Sequence, residues 1–170
     1  MIEGFPRTAN TFSVFAFQMA QPAPVRVAHH LHAPIQVITA ARARIPVLVL
    51  IRPPEDAVLS LTTWSPHIGL EQALRAYSRF YERIAPDRSW CVTGEFTQVT
   101  SDFGLVIDAV NARYETAFAR FEHTPQNVEA CYALIEEKSR RPPWAAAITR
   151  YVSGTISAQE LAAARAAASG

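Results

Sequence analysis

The stretch Ile45-Pro46-Val47-Leu48-Val49-Leu50-Ile51 carries no polar residue and is rich in β-branched side chains. This is the pattern of a strand covered on both faces in a parallel sheet. Arg52-Pro53-Pro54-Glu55-Asp56-Ala57-Val58-Leu59-Ser60 follows at once, and its two prolines are pre-set for the first turn of a helix, predicted over residues 55–63. On the other side, residues 35–44 are Ala-rich with apolar residues at helical spacing and read as a helix. Earlier still, Pro22-Ala23-Pro24 closes a helical stretch, and residues 25–29 read as a strand. Downstream, Leu70, Leu74, Tyr77, Phe80, Tyr81 and Ile84 fall mostly on one face of a helix over residues 70–84. Residues 90–93 read as a buried strand, and residues 103–121 as an amphipathic helix with Leu105, Ile107, Val110, Tyr114 and Phe118 toward the core. Strand and helix in alternation predict an α/β fold, a three-layer sandwich with a mostly parallel sheet and helices on both faces.

At 170 residues the chain is long enough for one core and too short for two comfortable domains. A net charge of +1 gives no bulk electrostatic case for nucleic acid or an anionic membrane, so any anion site must be built locally. Cys91 and Cys131 are too few for a disulfide framework or a zinc site without clustered partners and read as thiols in a reducing compartment. No apolar stretch approaches the ~20 residues of a membrane helix, and no signal-peptide pattern opens the chain, so the expected location is the cytoplasm. The tail runs through Arg140-Arg141-Pro142-Pro143 into an Ala-rich helix over residues 157–168. It is expected to be a C-terminal arm, residues 141–170, of one domain formed by residues 1–140.

The chemistry concentrates in Gly4-Phe5-Pro6-Arg7-Thr8-Ala9-Asn10-Thr11-Phe12. It reads as a phosphate-cradling turn where a strand hands over to a helix, a place where backbone N–H groups and the positive helix end favour anions. Gly4 and Ala9 let the backbone come close, Arg7 supplies charge, and Thr8, Asn10 and Thr11 supply side-chain donors. Against the pattern G-x-x-x-x-G-K-[ST], Ala9 replaces the second glycine and Asn10 the lysine, which disfavours an ordinary ATPase or GTPase. The alternative is a polar loop in which Thr8 or Asn10 caps a helix. Only three residues precede the turn where a strand of ~5 is usual, so either the first strand is a stub or the natural start lies upstream. Arg52 stands at the carboxyl end of the strand, where open parallel sheets bind ligands, and Ser60 lies eight positions on. An Arg fork and a hydroxyl suit a second phosphate; the alternative is pairing of Arg52 with Glu55 or Asp56.

Taken together, the two segments resemble the sulfotransferases that use 3′-phosphoadenosine 5′-phosphosulfate (PAPS), a family of P-loop-like topology. The family's 5′-phosphosulfate loop, Pro-Lys-Ser-Gly-Thr-Thr-Trp, is matched by Pro6-Arg7-Thr8-Ala9-Asn10-Thr11-Phe12. Its 3′-phosphate segment, Arg-Asn-Pro-Lys-Asp-Val-Ala-Val-Ser, is matched without a gap from Arg52 to Ser60. Many members carry Lys-Thr-His-Leu-Pro, with the histidine as catalytic base about 22 residues before the Arg, a spacing taken from the family. His30 holds that place within Ala28-His29-His30-Leu31-His32, and Ala28 stands where the lysine would be. On a strand, His30 and His32 would share a face and His29 would point away; three histidines so close could instead hold a metal. Trp90-Cys91-Val92-Thr93-Gly94-Glu95-Phe96 loosely matches a later strand of the family. Its Arg-Lys-Gly segment has no clear match, with Lys138, Arg140 and Arg141 as substitutes.

The resemblance implies PAPS as co-substrate and no metal, with Arg7, Thr8, Ala9, Asn10, Thr11, Phe12, Arg52 and Ser60 binding the nucleotide and His30 and Arg7 catalytic. It implies in-line transfer of a sulfuryl group to a hydroxyl or amine of a small-molecule or glycan acceptor, with neither nucleic acid nor membrane as partner. The acceptor cleft would be open, with residues 62–67 as one wall, or completed by a second subunit of a homodimer. Two other classes fit the residues: a catalytically degenerate member that binds a nucleotide or partner, and a small phosphotransferase, which would need Mg²⁺.

Overall fold

A computed structural model describes residues 1–139 together with residues 157, 159, 160, 162 and 163. The fold is α/β: three parallel strands in the order β1-β2-β3, with seven helices among the described residues. The strands are β1 (Ile2–Gly4), β2 (Leu48–Ile51) and β3 (Val92–Glu95). Ile2, Glu3 and Gly4 pair with Leu48, Val49 and Leu50, and residues 48–51 pair in turn with residues 92–95. This register brings Gly4, Ile51 and Glu95 to one edge, so the segments following all three strands open on the same side.

The apolar run at 45–51 forms the central strand, as its composition predicts, but pairing begins at Leu48. Ile45 is half exposed because α2 (Pro34–Arg42) ends in a Schellman turn. Arg44 takes a left-handed φ of 56°, and the amide of Ile45 reaches back to the Ala40 carbonyl. Along β2 the side chains alternate. Val49 joins Val37, Val58, Tyr77 and Phe80 of α2, α3 (Pro54–Trp64) and α4 (Leu70–Ile84) in one cluster. Leu48 lines the other side with Ile2, opposite Phe17 of α1 (Asn10–Ala20) and Phe103 and Ile107 of α6 (Phe103–Tyr114). Between β3 and α6 lies the short α5 (Phe96–Ser101), and a 3-10 turn (Ala85–Trp90) leads into β3.

Three expectations need correction. Residues 25–29 form no strand. A single bond from the Ile2 amide to the Ala28 carbonyl begins a ladder on β1, but the next amides, Leu31 and His32, go to the side chain of Glu3. The helix predicted over 103–121 stops at Tyr114, where Glu115 takes a left-handed φ of 53° and the Thr116 amide closes on the Asn111 carbonyl. The chain then doubles back, held by two side-chain amides: Asn111 pairs with the backbone of Phe118, and Gln21 with that of Ala119. The buried stripe of α4 is Ala73, Tyr77, Phe80 and Ile84, so Leu70 and Leu74 stay exposed, as does Leu105 of α6.

By contacts the chain divides into Met1–Tyr132 and a second unit from Ala133 onward, the boundary falling within α7 (Pro125–Ser139). In the second unit, residues 159, 160, 162 and 163 of the helix expected over 157–168 are helical. Ser157 Oγ accepts from the Glu160 amide while the Glu160 carboxylate accepts from the amide and hydroxyl of Ser157, a capping box. The remainder of that helix, and the expected boundary at 140/141, lie outside the described residues. Among the described residues no helix is long and apolar enough to cross a membrane.

Gly4 is where the sheet meets the first loop. A Cβ there would stand 2.5 Å from the Leu50 carbonyl oxygen and 2.6 Å from Thr8 Oγ1. Gly4→Ala is therefore expected to lower stability by about 2 kcal/mol in urea unfolding. Gly69→Ala, where an added Cβ meets nothing within 4 Å, serves as control and should change stability by less than about 0.5 kcal/mol. Equal midpoints for the two variants would remove the close approach as a constraint.

Candidate functional site

Residues 5–9 link β1 to the N-terminus of α1 through two left-handed residues, Arg7 (φ 71°) and Ala9 (φ 69°). That conformation is costly for residues with a Cβ and clusters at functional loops. Ala9 thus adopts a geometry usually given to glycine. The loop is fastened from inside. Thr8, fully buried, donates its hydroxyl to the Phe5 carbonyl at 2.7 Å. Asn10 Nδ2 donates to the same carbonyl at 2.9 Å and to Thr8 Oγ1 at 3.0 Å. These two side chains, expected as donors to a ligand, are committed to the loop itself. Phe12, also expected at the nucleotide, turns its ring into an aromatic cluster with Phe103, Phe121, His123 and Tyr132.

What faces outward is backbone, charge and hydroxyl. The first bond of α1 runs from the Ser13 amide to the Ala9 carbonyl, which leaves the amides of Asn10, Thr11 and Phe12 unpaired at the positive end of the helix. The Arg7 guanidinium lies 5.0 Å over the ring of Trp64, and its Nε donates to Ser60 Oγ at 3.0 Å. Arg52 donates from Nη1 to the Arg7 carbonyl at 3.3 Å and lies 4.1 Å over the Phe96 ring, while its Nε is buried without a partner. Neither Arg7 nor Arg52 forms an ion pair among the described residues, so the alternative pairing of Arg52 with Glu55 or Asp56 is absent there. Two guanidiniums, a hydroxyl and a helix N-terminus without a carboxylate partner make a site suited to an anion.

Two tyrosines one turn apart on α4 hold this edge of the sheet. Tyr81 donates to the Leu50 carbonyl and Tyr77 to the Arg52 carbonyl, both at 2.7 Å, and the Phe5 amide donates to Tyr81 Oη at 3.4 Å. Burial pushes both hydroxyls up in pKa, which keeps them neutral donors. Beside them a cleft of about 290 Å³ opens between Arg52, Pro53, Tyr77, Glu95 and Phe96.

The histidines form a turn rather than a strand: His30 and His32 have φ of 60° and 49°. His30 Nε2 lies 3.0 Å from Thr11 Oγ1, which joins the histidine segment to α1. His29, expected to point away, meets His30 through their Nδ1 atoms. Where the proton between them sits on His30, its Nε2 carries the lone pair and accepts from Thr11. Burial, then the charges of His29 and His32, push His30 below its ordinary pKa against the pull of Glu3, so the ring is neutral at neutral pH.

Sequence reasoning missed Glu3. Its side chain is fully buried, and Oε2 accepts from the amides of Leu31 at 2.9 Å and His32 at 3.1 Å, while Oε1 accepts from Gly4 at 3.1 Å. His32 Nδ1 lies 2.8 Å from the Gly4 carbonyl and 3.2 Å from Glu3 Oε1, so Nδ1 carries a proton, and in the neutral ring Nε2 holds the lone pair. Burial by itself pushes the Glu3 carboxyl up, but the His32 ring and the amides outweigh it and hold it below its ordinary value. Burial pulls His32 down, and the Glu3 carboxylate and Gly4 carbonyl more than offset this. The sequence signal was an acidic residue inside a β1 too short to show periodicity.

Among the other residues singled out from the sequence, Lys138 belongs to the second unit, and Arg140 and Arg141 lie outside the described residues. No protein-family model, no curated protein and no solved structure matches this chain.

The Glu3–His32 pair sets a pH window. The lowered Glu3 contributes stability that is present above its unfolded value near 4.5 and lost as pH falls through its folded value. The raised His32 contributes stability that is present below 6.5 and lost as pH rises through its folded value. Stability from this pair is therefore greatest between about pH 4.5 and 6.5, and Glu3→Gln should flatten both limbs in urea unfolding measured across pH. An unchanged pH profile in the variant would remove the pair as their source.

Proposed function

We propose that this chain is a sulfotransferase that moves a sulfuryl group from PAPS to a hydroxyl or amine of a small-molecule or glycan acceptor. In this reading the fold is a compact three-layer sandwich of P-loop-like topology acting in the cytoplasm. The observation that carries it is the 3.0 Å bond from Arg7 Nε to Ser60 Oγ, between residues 53 apart in sequence. It joins the 5′-phosphosulfate-like loop to the 3′-phosphate-like segment, and Thr11 joins the same loop to His30.

The residues fit a nucleotide with phosphates at two ends. The amides at the start of α1 and Arg7 would hold the 5′-phosphosulfate, and Arg52 and Ser60 the 3′-phosphate; the buried, unpartnered Nε of Arg52 is a donor available to such a group. The nucleotide, when bound, supplies the sulfuryl group: a bond forms from the acceptor atom to sulfur as the bond from sulfur to the 5′-phosphate oxygen breaks. Arg7 and the loop amides stabilise the charge that develops on that phosphate oxygen, and Arg52 and Ser60 fix the donor's orientation. A histidine takes the acceptor's proton.

By register with the family motif that histidine is His30. His32 is a second reading, favoured by one observation: Nδ1 is held by Glu3 and the Gly4 carbonyl, which leaves Nε2 as an oriented base. The opposite pKa directions separate them. If His30 is the base, kcat/KM should rise with pH through a value below 6.5, and His30→Ala should abolish turnover while the bisphosphate product still binds. If His32 is the base, the rise should lie above 6.5 and His32→Ala should be the inactive variant.

The nucleotide assignment has its own test. Calorimetry should show adenosine 3′,5′-bisphosphate binding more tightly than adenosine 5′-phosphate, and Arg52→Ala should reduce that preference by roughly tenfold or more, the scale of a charge-assisted hydrogen bond. Equal affinities for the two nucleotides in the wild-type protein would exclude the 3′-phosphate site, and Mg²⁺-dependent preference for ATP would favour a phosphotransferase.

A further inference from the structure

Beside the loop, on the side of α4, lies an open cleft of about 430 Å³ that the nucleotide-binding residues do not occupy. Its volume is that of a small-molecule site. The floor is apolar, made by Phe5, Leu61, Ile68 and Phe80. Along one wall Gln72, Ala76, Arg79 and Arg83 recur at helical spacing as a single stripe of α4. Arg79 and Arg83, one turn apart, form neither a hydrogen bond nor an ion pair among the described residues, whereas the neighbouring Arg75 is paired with Glu71. No aspartate or glutamate among the described residues lines the cleft. Pro6 of the loop and His32 also line the cleft.

From this arrangement we infer that the cleft is the acceptor site and that it takes an amphiphilic hydroxy acid, with an apolar body on the floor, an anionic group at Arg79 and Arg83, and the hydroxyl toward Pro6 and His32. As an acceptor site it rests on the transferase reading; as a binding site for an apolar anion it stands on the cleft's own residues. Two unpaired guanidiniums over an apolar floor attract a carboxylate, and the acid-free lining adds no opposing charge. Arg7 is not among the residues that line the cleft, so the acceptor's own charge has its partners apart from those of the transferred group.

Binding of 6-hydroxy-2-naphthoate and of 2-naphthol, which share an aromatic body and a hydroxyl and differ in the carboxylate, tests this by fluorescence titration. The naphthoate is expected to bind about tenfold or more tightly than the naphthol, and the double variant Arg79→Gln/Arg83→Gln is expected to erase the difference while leaving naphthol affinity unchanged, which also reports that the variant is folded. Equal affinity of the two probes in the wild-type protein, failure of both to bind, or a preference that survives the double variant would each overturn the assignment. Adenosine 3′,5′-bisphosphate is titrated in parallel. If it fails to bind while the naphthoate preference and its loss are seen, the donor reading falls and the anion cleft stands; if it binds equally to wild type and variant while the naphthoate preference is absent, the cleft assignment falls and the donor site stands.

Discussion

The carboxylate of Glu3 is the interaction on which the rest of the site depends. A fully buried charge is tolerable only when its lone pairs are satisfied, and here the amides of Gly4, Leu31 and His32 satisfy them, with the His32 ring opposite. Two successive amides can meet one carboxylate oxygen only if the chain turns sharply, and His30 and His32 take left-handed backbone conformations in that turn. The turn is what stops residues 25–29 from extending β1 into a fourth strand. It also brings His30 to Thr11 and His32 to the cleft lined by Arg79 and Arg83.

A second constraint acts across the strand ends. Gly4 has no Cβ because the Leu50 carbonyl and the Thr8 hydroxyl occupy that space. Tyr81 donates to the same carbonyl, and Tyr77 to that of Arg52. β1, β2 and α4 are thus fastened at the one edge where the phosphate-like loop begins. With Thr8 and Asn10 tied to Phe5, the loop keeps its shape from inside and presents amides and cations outward. This is preorganisation: donors held by the fold need no rearrangement to meet an anion.

The two proposed ligand ends follow from where positive charge lacks a partner. Three arginines of the first unit are balanced by carboxylates: Arg42 by Asp87, Arg75 by Glu71, and Arg120 by Asp102 and Asp108. Arg7 and Arg52 at the loop, and Arg79 and Arg83 along the cleft, form no ion pair among the described residues. An almost neutral chain can thus set arginines without a carboxylate partner side by side, which is how a local anion site arises without a basic protein.

The apolar run at 45–51, the prolines that start α3 and the spacing of Arg52 and Ser60 were legible in the sequence, because burial on both faces, helix initiation and a fixed helical offset are local properties of a few consecutive residues. Helix 70–84 was legible in extent and, at Tyr77, Phe80 and Ile84, in facing; only in its first part is Ala73 buried rather than Leu70 or Leu74, since the choice of stripe depends on α2 and α3 packed against it. The end of α6 was hidden, because Glu115 leaves the helix where Asn111 and Gln21 can hold the returning chain, and Gln21 is 98 residues from its partner Ala119. The sequence by itself determined an alternating α/β chain with a polar loop after the first strand and an Arg and a Ser eight positions apart after the central one. Only the tertiary structure decided that Thr8, Asn10 and Phe12 turn inward, that Glu3 governs the histidines, and that Arg7, Arg52, Arg79 and Arg83 stand without a carboxylate partner beside the loop and the cleft. Each of these rests on contacts between distant segments, and the burial that makes a carboxylate or a free guanidinium consequential exists only once those segments meet.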